Sequence, residues 1–205
     1  MVKYLANTKT LGIYFTSAKR PVLESFLHFP IAPQVLSMAD ANWGPQDAKL
    51  STKPMELPLF TSRSMSAYLI DLLSPVHWLS KHQSVTAGSS AEAEIYVMDE
   101  CVKFLLELVQ IMEFLEVKHI FMPTTNIIYN DNMACVDWSK RCTTKGLRHI
   151  QMKENRVHEN SDSKFVSVNH IDGKINIADI FTKEMKDTTH FVTLRDLFMC
   201  PRLQP

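Results

Sequence analysis

The feature that most restricts what this chain can fold into is the stretch from Glu92 to Val117, which contains neither proline nor glycine. Apolar residues recur along it at helical spacing, and one stripe runs through Glu94, Met98, Cys101, Leu105, Leu108, Met112 and Leu115. Ser89 and Ser90 stand just ahead as N-caps, with a glutamate following within one turn. The opposite stripe, Glu92, Asp99, Lys103, Glu107 and Gln110, reads as solvated, with Asp99 and Lys103 at the i,i+4 spacing. Glu92 and Glu94 lie about 200° apart around such a helix. Only one of them can face inward, and the pattern selects Glu94. A carboxylate at the head of a buried stripe is costly unless a cation meets it.

The chain has 205 residues, 45% of them hydrophobic and 21% charged, enough for one sizeable core. Its 22 basic and 22 acidic residues cancel, so any nucleic-acid role has to come from local clustering. Lys140, Arg141, Lys145, Arg148, Lys153 and Arg156 form such a cluster, faced only by Asp137 and Glu154 over the same span. A solvated helix face is the other reading of that run. Cys101, Cys135, Cys142 and Cys200 include no CxxC pair, which points to a reduced intracellular setting without disulfide framework or structural zinc. The N-terminal residues lack the continuous apolar core of a signal peptide. Lys103, Glu107, Glu113 and Glu116 make the long helix amphipathic rather than membrane-spanning.

In chain order, Tyr4-Leu5 reads as a helix end and Leu11–Phe15 as strand-like, before Pro21, Pro30 and Pro33 break the pattern. A boundary is placed near residue 30. A strand is expected over Gln34–Asn42, a loop over Pro45–Pro58, and two strands over Ser66–Leu73 and Val76–Gln83. After the long helix come a strand ending at Asp131, a helix with Ala134, Cys135 and Trp138, and a basic helix over Arg148–His158. A strand over Phe165–Ile171, a helix capped by Asn176 with Asp179 at N3, and an amphipathic segment over Phe191–Met199 complete the chain. Strands first, then a helix, then strand–helix pairs imply an α/β class: a mixed sheet with an antiparallel start and helices on both sides.

Four acids hold informative positions. Asp40 ends the first strand of the domain, Glu94 heads the buried stripe, Asp131 ends a strand rich in isoleucine, and Asp179 opens a late helix. Sites collect at the carboxyl ends of strands in open α/β sheets. Oxygen-rich groups of Asp and Glu suit magnesium or manganese. Each acid also has a purely structural reading: a cap for Asp131, a helix-dipole partner for Asp179, a turn for Asp40, an ion pair for Glu94.

Six motifs follow one another in order: Ala39-Asp40-Ala41-Asn42-Trp43, His77-Trp78-Leu79-Ser80-Lys81, Ser89-Ser90-Ala91-Glu92-Ala93-Glu94, Ile128-Tyr129-Asn130-Asp131-Asn132, Leu147-Arg148-His149-Ile150 and Ile177-Ala178-Asp179-Ile180-Phe181-Thr182-Lys183. Together they resemble the ribonuclease H domain of copia-type retrotransposon Pol polyproteins, which follows the reverse transcriptase. The resemblance spans about residues 34–199. Val2-Lys3-Tyr4-Leu5 and Thr10–Tyr14 resemble the tail joining polymerase to nuclease, making 1–30 a connection and 31–205 the nuclease domain.

The resemblance implies a ribonuclease H-like fold with a five-stranded mixed sheet, its first three strands antiparallel. It implies endonucleolytic hydrolysis of the RNA strand of an RNA·DNA hybrid, with Asp40, Glu94, Asp131 and Asp179 as catalytic metal ligands. Two Mg2+ ions, or Mn2+, would activate water and stabilise the leaving 3′ oxygen. Asp40 would serve both ions, Glu94 and Asp131 mainly the leaving-group side, and Asp179 the water side. The implied partners are the hybrid, gripped by the 140–156 basic segment, and the reverse transcriptase, with neither membrane nor structural zinc. The implied setting is a cytoplasmic virus-like particle with a nuclear phase.

The chain departs from the family pattern in several places, among them a loop between Trp43 and Arg63 longer than expected. Asn42 stands where Asp is frequent, Glu154-Asn155 where a Tyr-His pair is, and Asp172-Gly173-Lys174 lacks the loop histidine of cellular ribonucleases H, for which His170 is a substitute candidate. Met1 falls inside the connection, so a fragment or truncated copy is expected. The alternative function is a catalytically silent remnant that connects domains or binds hybrid. A DDE-type integrase is disfavoured by the order of the acids and the lack of a His/Cys head. A serine hydrolase is disfavoured because Ala87-Gly88-Ser89-Ser90-Ala91 lacks the second glycine of a nucleophile elbow.

Overall fold

In a computed structural model that describes residues 8, 11–13, 20–30, 35–44, 63–72, 74–122, 124–140 and 148–201, a two-residue strand β1 (Leu11–Gly12) and helix α1 (Arg20–Leu27) come first. Strands β2 (Leu36–Asn42), β3 (Met65–Asp71) and β4 (Pro75–His82) follow. The long helix α2 (Ser90–Phe114) and the short α3 (Lys118–Phe121) lead into β5 (Asn126–Asn130), α4 (Met133–Lys140), α5 (Arg148–Asp162) and β6 (Val166–His170). A 3-10 turn (Gly173–Ile175), α6 (Asp179–Thr182), α7 (Thr188–Asp196) and β7 (Cys200–Pro201) close the described chain. The Pro45–Pro58 loop lies outside the described residues.

The main sheet has the order β4-β3-β2-β5-β6. β2 pairs antiparallel with β3 and β3 with β4, whereas β2–β5 and β5–β6 are parallel. This is the expected α/β class, a mixed five-stranded sheet antiparallel across its first three strands. The connections account for the directions. β3 and β4 are joined by a turn, whereas each parallel pair needs a crossover, supplied before β5 by α2 and before β6 by α4 and α5.

Both faces of the sheet are covered. Ala39, Tyr68, Ile70, Ile128 and Val168 meet Val97, Cys101 and Leu105 of α2, Val136 of α4 and Val157 of α5. Leu36, Met38 and Leu69 meet Leu23 and Leu27 of α1, Ile177, and Leu194 of α7. Covered on both sides, β2 has no solvated face, which is why Leu36-Ser37-Met38-Ala39-Asp40-Ala41 does not alternate apolar with polar. Pro21 does not break structure as expected. It sits in the first turn of α1, where a missing N–H leaves no hydrogen bond unmade. β1 pairs antiparallel with β7, bringing Leu11 opposite Pro201.

Helix α2 follows the expected periodicity with two corrections. Ser89 is the N-cap, its side chain accepting from Glu92 N–H at 3.1 Å. Glu92 and Asp99, expected in solvent, are buried. Glu92 is consumed locally, Oε2 accepting from Gly88 N–H at 2.7 Å and Oε1 from the Tyr96 hydroxyl at 3.0 Å. Asp99 is buried because α5 packs on that side of α2 and supplies bases. Arg156 Nη1 donates to Asp99 Oδ1 at 2.8 Å, Lys103 lies 2.7 Å from Oδ2, and Lys153 stands 3.7 Å away with its ammonium over the Tyr96 ring. At the other end, Leu115 was expected inward but is the C-cap and exposed, and Glu116 turns the chain away with φ 59°.

The Asp99 cluster yields a test. Asp99→Ala should lower unfolding stability by about 2 kcal/mol, somewhat below the usual cost of breaking a buried pair because its bases stay partly exposed and rehydrate. Asp137→Ala, at an exposed position of α4, should shift it by less than about 0.5 kcal/mol in the same urea titration.

Candidate metal centre

β2 and β5 run parallel, and Met38 lies beside Tyr129. Two residues further on, the same register carries Asp40 beside Asp131 at the edge where both strands end. The N-terminal turns of α2 reach that edge and bring in Glu94. Asp40, Glu94 and Asp131 each present an oxygen, all within 4.8 Å of one another. Asp40 and Glu94 are buried and Asp131 is half-buried.

Asp179 arrives from the chain after β6. It is the first residue of α6 rather than N3 of a longer helix, because Asn176 forms a turn of its own, its Oδ1 accepting from Ala178 N–H at 3.2 Å. The Asn176 amide also donates to the Ala39 carbonyl at 3.2 Å, which fixes this segment against β2 next to Asp40. Asp179 joins the other acids through Lys183, whose ammonium donates to Asp179 Oδ1 at 2.8 Å and Asp40 Oδ1 at 3.2 Å and lies 4.0 Å from Asp131 Oδ2. The Thr182 hydroxyl donates to the other oxygen of Asp40.

The four acids are therefore brought to one edge of the sheet, three as a close group and the fourth bridged to them by a lysine. Further residues hold these acids in place. Asn130 donates to Glu94 Oε2 at 2.8 Å and to the Ala39 carbonyl at 3.1 Å, while Ala41 N–H donates to Glu94 Oε1 at 3.1 Å. Asn42 donates to the Thr182 carbonyl at 3.3 Å and Ser80 to the Phe181 carbonyl at 2.7 Å, tying the end of α6 to β2 and β4. An aspartate at position 42 could not donate that bond. His170 ends β6 opposite Asn130 and is exposed. The i,i+4 spacing of Asp179 and Lys183 was the signal in the sequence that could have revealed the lysine.

The electrostatics show a deficit of positive charge. Burial, then repulsion from Asp40, pushes the Glu94 carboxyl well above its usual range, against the opposing hydrogen bond from Asn130. Burial and Asp40 also raise Asp131, against the attraction of Lys183. Asp179 is pushed up to about 7 by the same two causes, against its hydrogen bond from Lys183. Burial works to lower Lys183, but Asp40 and Asp179 outweigh it and hold the ammonium above its ordinary range. Among the described residues one fixed cation, Lys183, stands between the four acids, which leaves room for more. An all-oxygen donor set this tight fits a hard divalent ion such as magnesium or manganese.

The basic segment is only partly available. Lys140 is exposed at the end of α4, whereas Lys153 and Arg156 are committed to Asp99. Arg141 and Lys145 lie outside the described residues, and so does the side chain of Arg148. A 540 Å³ cleft lined by Thr124, Ser139, Lys140, Lys164 and Val168 contains none of the four acids. Among the described residues no helix is long and apolar enough to cross a membrane.

No protein-family model matches the chain. Among solved structures, it is similar to LC11-RNase H1, isolated from compost by a metagenomic approach, at 12% identity over 72% of this chain and 91% of that one, with a TM-score of 0.47. The same LC11-RNase H1 in complex with an RNA/DNA hybrid matches at 12% identity over 76% and 98%, with a TM-score of 0.48. RNase H1 from the halophilic archaeon Halobacterium salinarum matches at 9% identity over 72% and 93%, with a TM-score of 0.44.

Two measurements test the geometry. The native carboxyls of Glu94, Asp131 and Asp179 hold protons that the unfolded chain has released above about pH 4. Stability of the metal-free protein should therefore fall as pH rises, for Asp179 through about 7. Lys183 stays charged throughout and adds no slope. Thermal midpoints in EDTA should drop between pH 5 and 8, and Asp179→Asn should flatten part of that drop. A Cβ at Gly173 would stand 2.9 Å from Asp131 Oδ2. Gly173→Ala should leave the far-ultraviolet circular dichroism unchanged yet weaken Mn2+ binding by roughly tenfold, read by calorimetry.

Proposed function

We propose that this chain is a ribonuclease H of copia-type retrotransposon origin, which hydrolyses the RNA strand of RNA·DNA hybrids during reverse transcription. The observation that carries the reading is the convergence of Asp40, Glu94 and Asp131 within 4.8 Å, with Asp179 one lysine away. Sequence motifs scattered over the chain had nominated the same four acids.

Asp40, Glu94 and Asp131 would hold one divalent ion, and Asp40 with Asp179 a second, Mg2+ or Mn2+. Bound there, such ions supply an activated water nucleophile and charge neutralisation at the leaving 3′ oxygen. The protein's own groups fix the donors in place. Asn130 and Ala41 N–H orient the two oxygens of Glu94, Thr182 orients Asp40, and Gly173 leaves room for Asp131. Holding ligands in a set orientation is what lets a phosphodiester be attacked in line without reorganisation.

Lys140, Arg141, Lys145 and Arg148 would contact hybrid phosphates, a sequence-independent and salt-sensitive attraction. Selectivity for RNA would rest on 2′-hydroxyl contacts near the scissile bond. Residues 1–30 would form the connection to a reverse transcriptase, and the site of action would be an intracellular particle.

The reading predicts that the protein cleaves a labelled RNA·DNA hybrid, but not the corresponding DNA duplex, in Mg2+ or Mn2+. Asp131→Asn should reduce the rate by roughly a thousandfold or more, and EDTA should abolish it. Absence of cleavage by folded protein would favour a silent connection domain.

A further inference from the structure

The acids are not equivalently placed with respect to positive charge. Lys183 holds Asp179 at 2.8 Å and Asp40 Oδ1 at 3.2 Å, while its neighbour Thr182 engages the remaining oxygen of Asp40. Glu94 stands outside that grip, its two oxygens accepting, among the described residues, from the neutral donors Ala41 N–H and Asn130. The site therefore divides in two. On the Glu94 side, oxygens of Asp40, Glu94 and Asp131 already face one another within 4.8 Å. On the Asp179 side an ammonium fills the space between the two carboxylates that would share an ion. A divalent ion joining Asp40 to Asp179 has to displace a charge of its own sign.

We propose that Lys183 is a tethered counter-ion that occupies the Asp40–Asp179 position, so that the two ion positions load in order, the Glu94 side first and the Asp179 side only as Lys183 withdraws. This rests on the reading of the four acids as a metal centre. The lysine is suited to the task. Its stem is long and flexible, its head is a point charge without directional demand, and more than a third of its side chain is open to solvent, giving it somewhere to go. It is a positioning residue here, setting the order and strength of loading rather than acting on substrate.

The test is a Mn2+ titration of the free protein, without nucleic acid, followed by calorimetry and by the thermal midpoint. Wild type would be compared with Lys183→Gln, the charge-retaining Lys183→Arg, and Lys118→Gln, in α3 beyond the far end of α2, as a control. Wild type should show a stronger and a weaker binding event. In Lys183→Gln the weaker event should tighten by roughly tenfold, the stronger should move by less than about twofold, and the midpoint in EDTA should fall. Lys183→Arg and Lys118→Gln should both resemble wild type. A weaker event unchanged in folded Lys183→Gln, or a single event in wild type, would overturn the ordered loading while leaving the metal centre intact. Failure of every folded protein to bind Mn2+ would overturn both readings together.

Discussion

Asp40 is the point on which the rest of this structure depends. It is a buried carboxylate on the central strand of the sheet, and every other acid of the site is defined by its distance to it. Its field helps push up Glu94, Asp131 and Asp179, and it holds Lys183 in place. Such a charge survives in a protein interior only where cations and donors compensate it. Lys183 and Thr182 do part of this.

The scaffold around it serves two needs at once. Parallel pairing of β2 with β5 sets Asp40 beside Asp131, and the burial of β2 on both faces keeps that pair from drifting. Helix α6 is only four residues long and could not hold Asp179 alone. Bonds from Asn42 and Ser80 to its last carbonyls, and from Asn176 to Ala39, replace the missing helical turns. Away from the site, Asp99 performs a structural role with similar means, tying α5 to α2 through Arg156 and Lys153. Charges read as one basic strip in the sequence are thus divided between holding helices together and facing solvent.

The periodic parts of the fold were legible in the sequence. Strand and helix positions for β2 to β6 and α2 followed from apolar runs and their spacing, proline and glycine placement, and capping serines. The fold class followed from the order of the elements. The four acids drew notice as candidates because each lies near the end of an element, and the structure gathers Asp40, Glu94 and Asp131 within 4.8 Å. The burial of Glu92 and Asp99 was not, because a helical wheel shows one partner face, and α2 is covered by the sheet on one side and α5 on another. Helix α1 was hidden by Pro21, a residue that ends helices in their interior but starts them in the first turn. Lys183 was overlooked although it lay within a quoted motif. Its importance comes from reaching across to β2, a contact between residues far apart in the chain that no local pattern encodes.

Helix α2 is buried all round through its first turns, Glu92 to Asp99, while its far end exposes Ile111 and Phe114. Packing this uneven makes the helix stiff at one end and loose at the other. Its amides should exchange with solvent along a gradient, fast near Phe114 and slowest around Glu94, where opening requires the sheet and α5 to separate together. Fraying at the loose end can then come and go without disturbing the first two turns. The carboxylate that faces Asp40 therefore belongs to one of the last parts of the molecule to open.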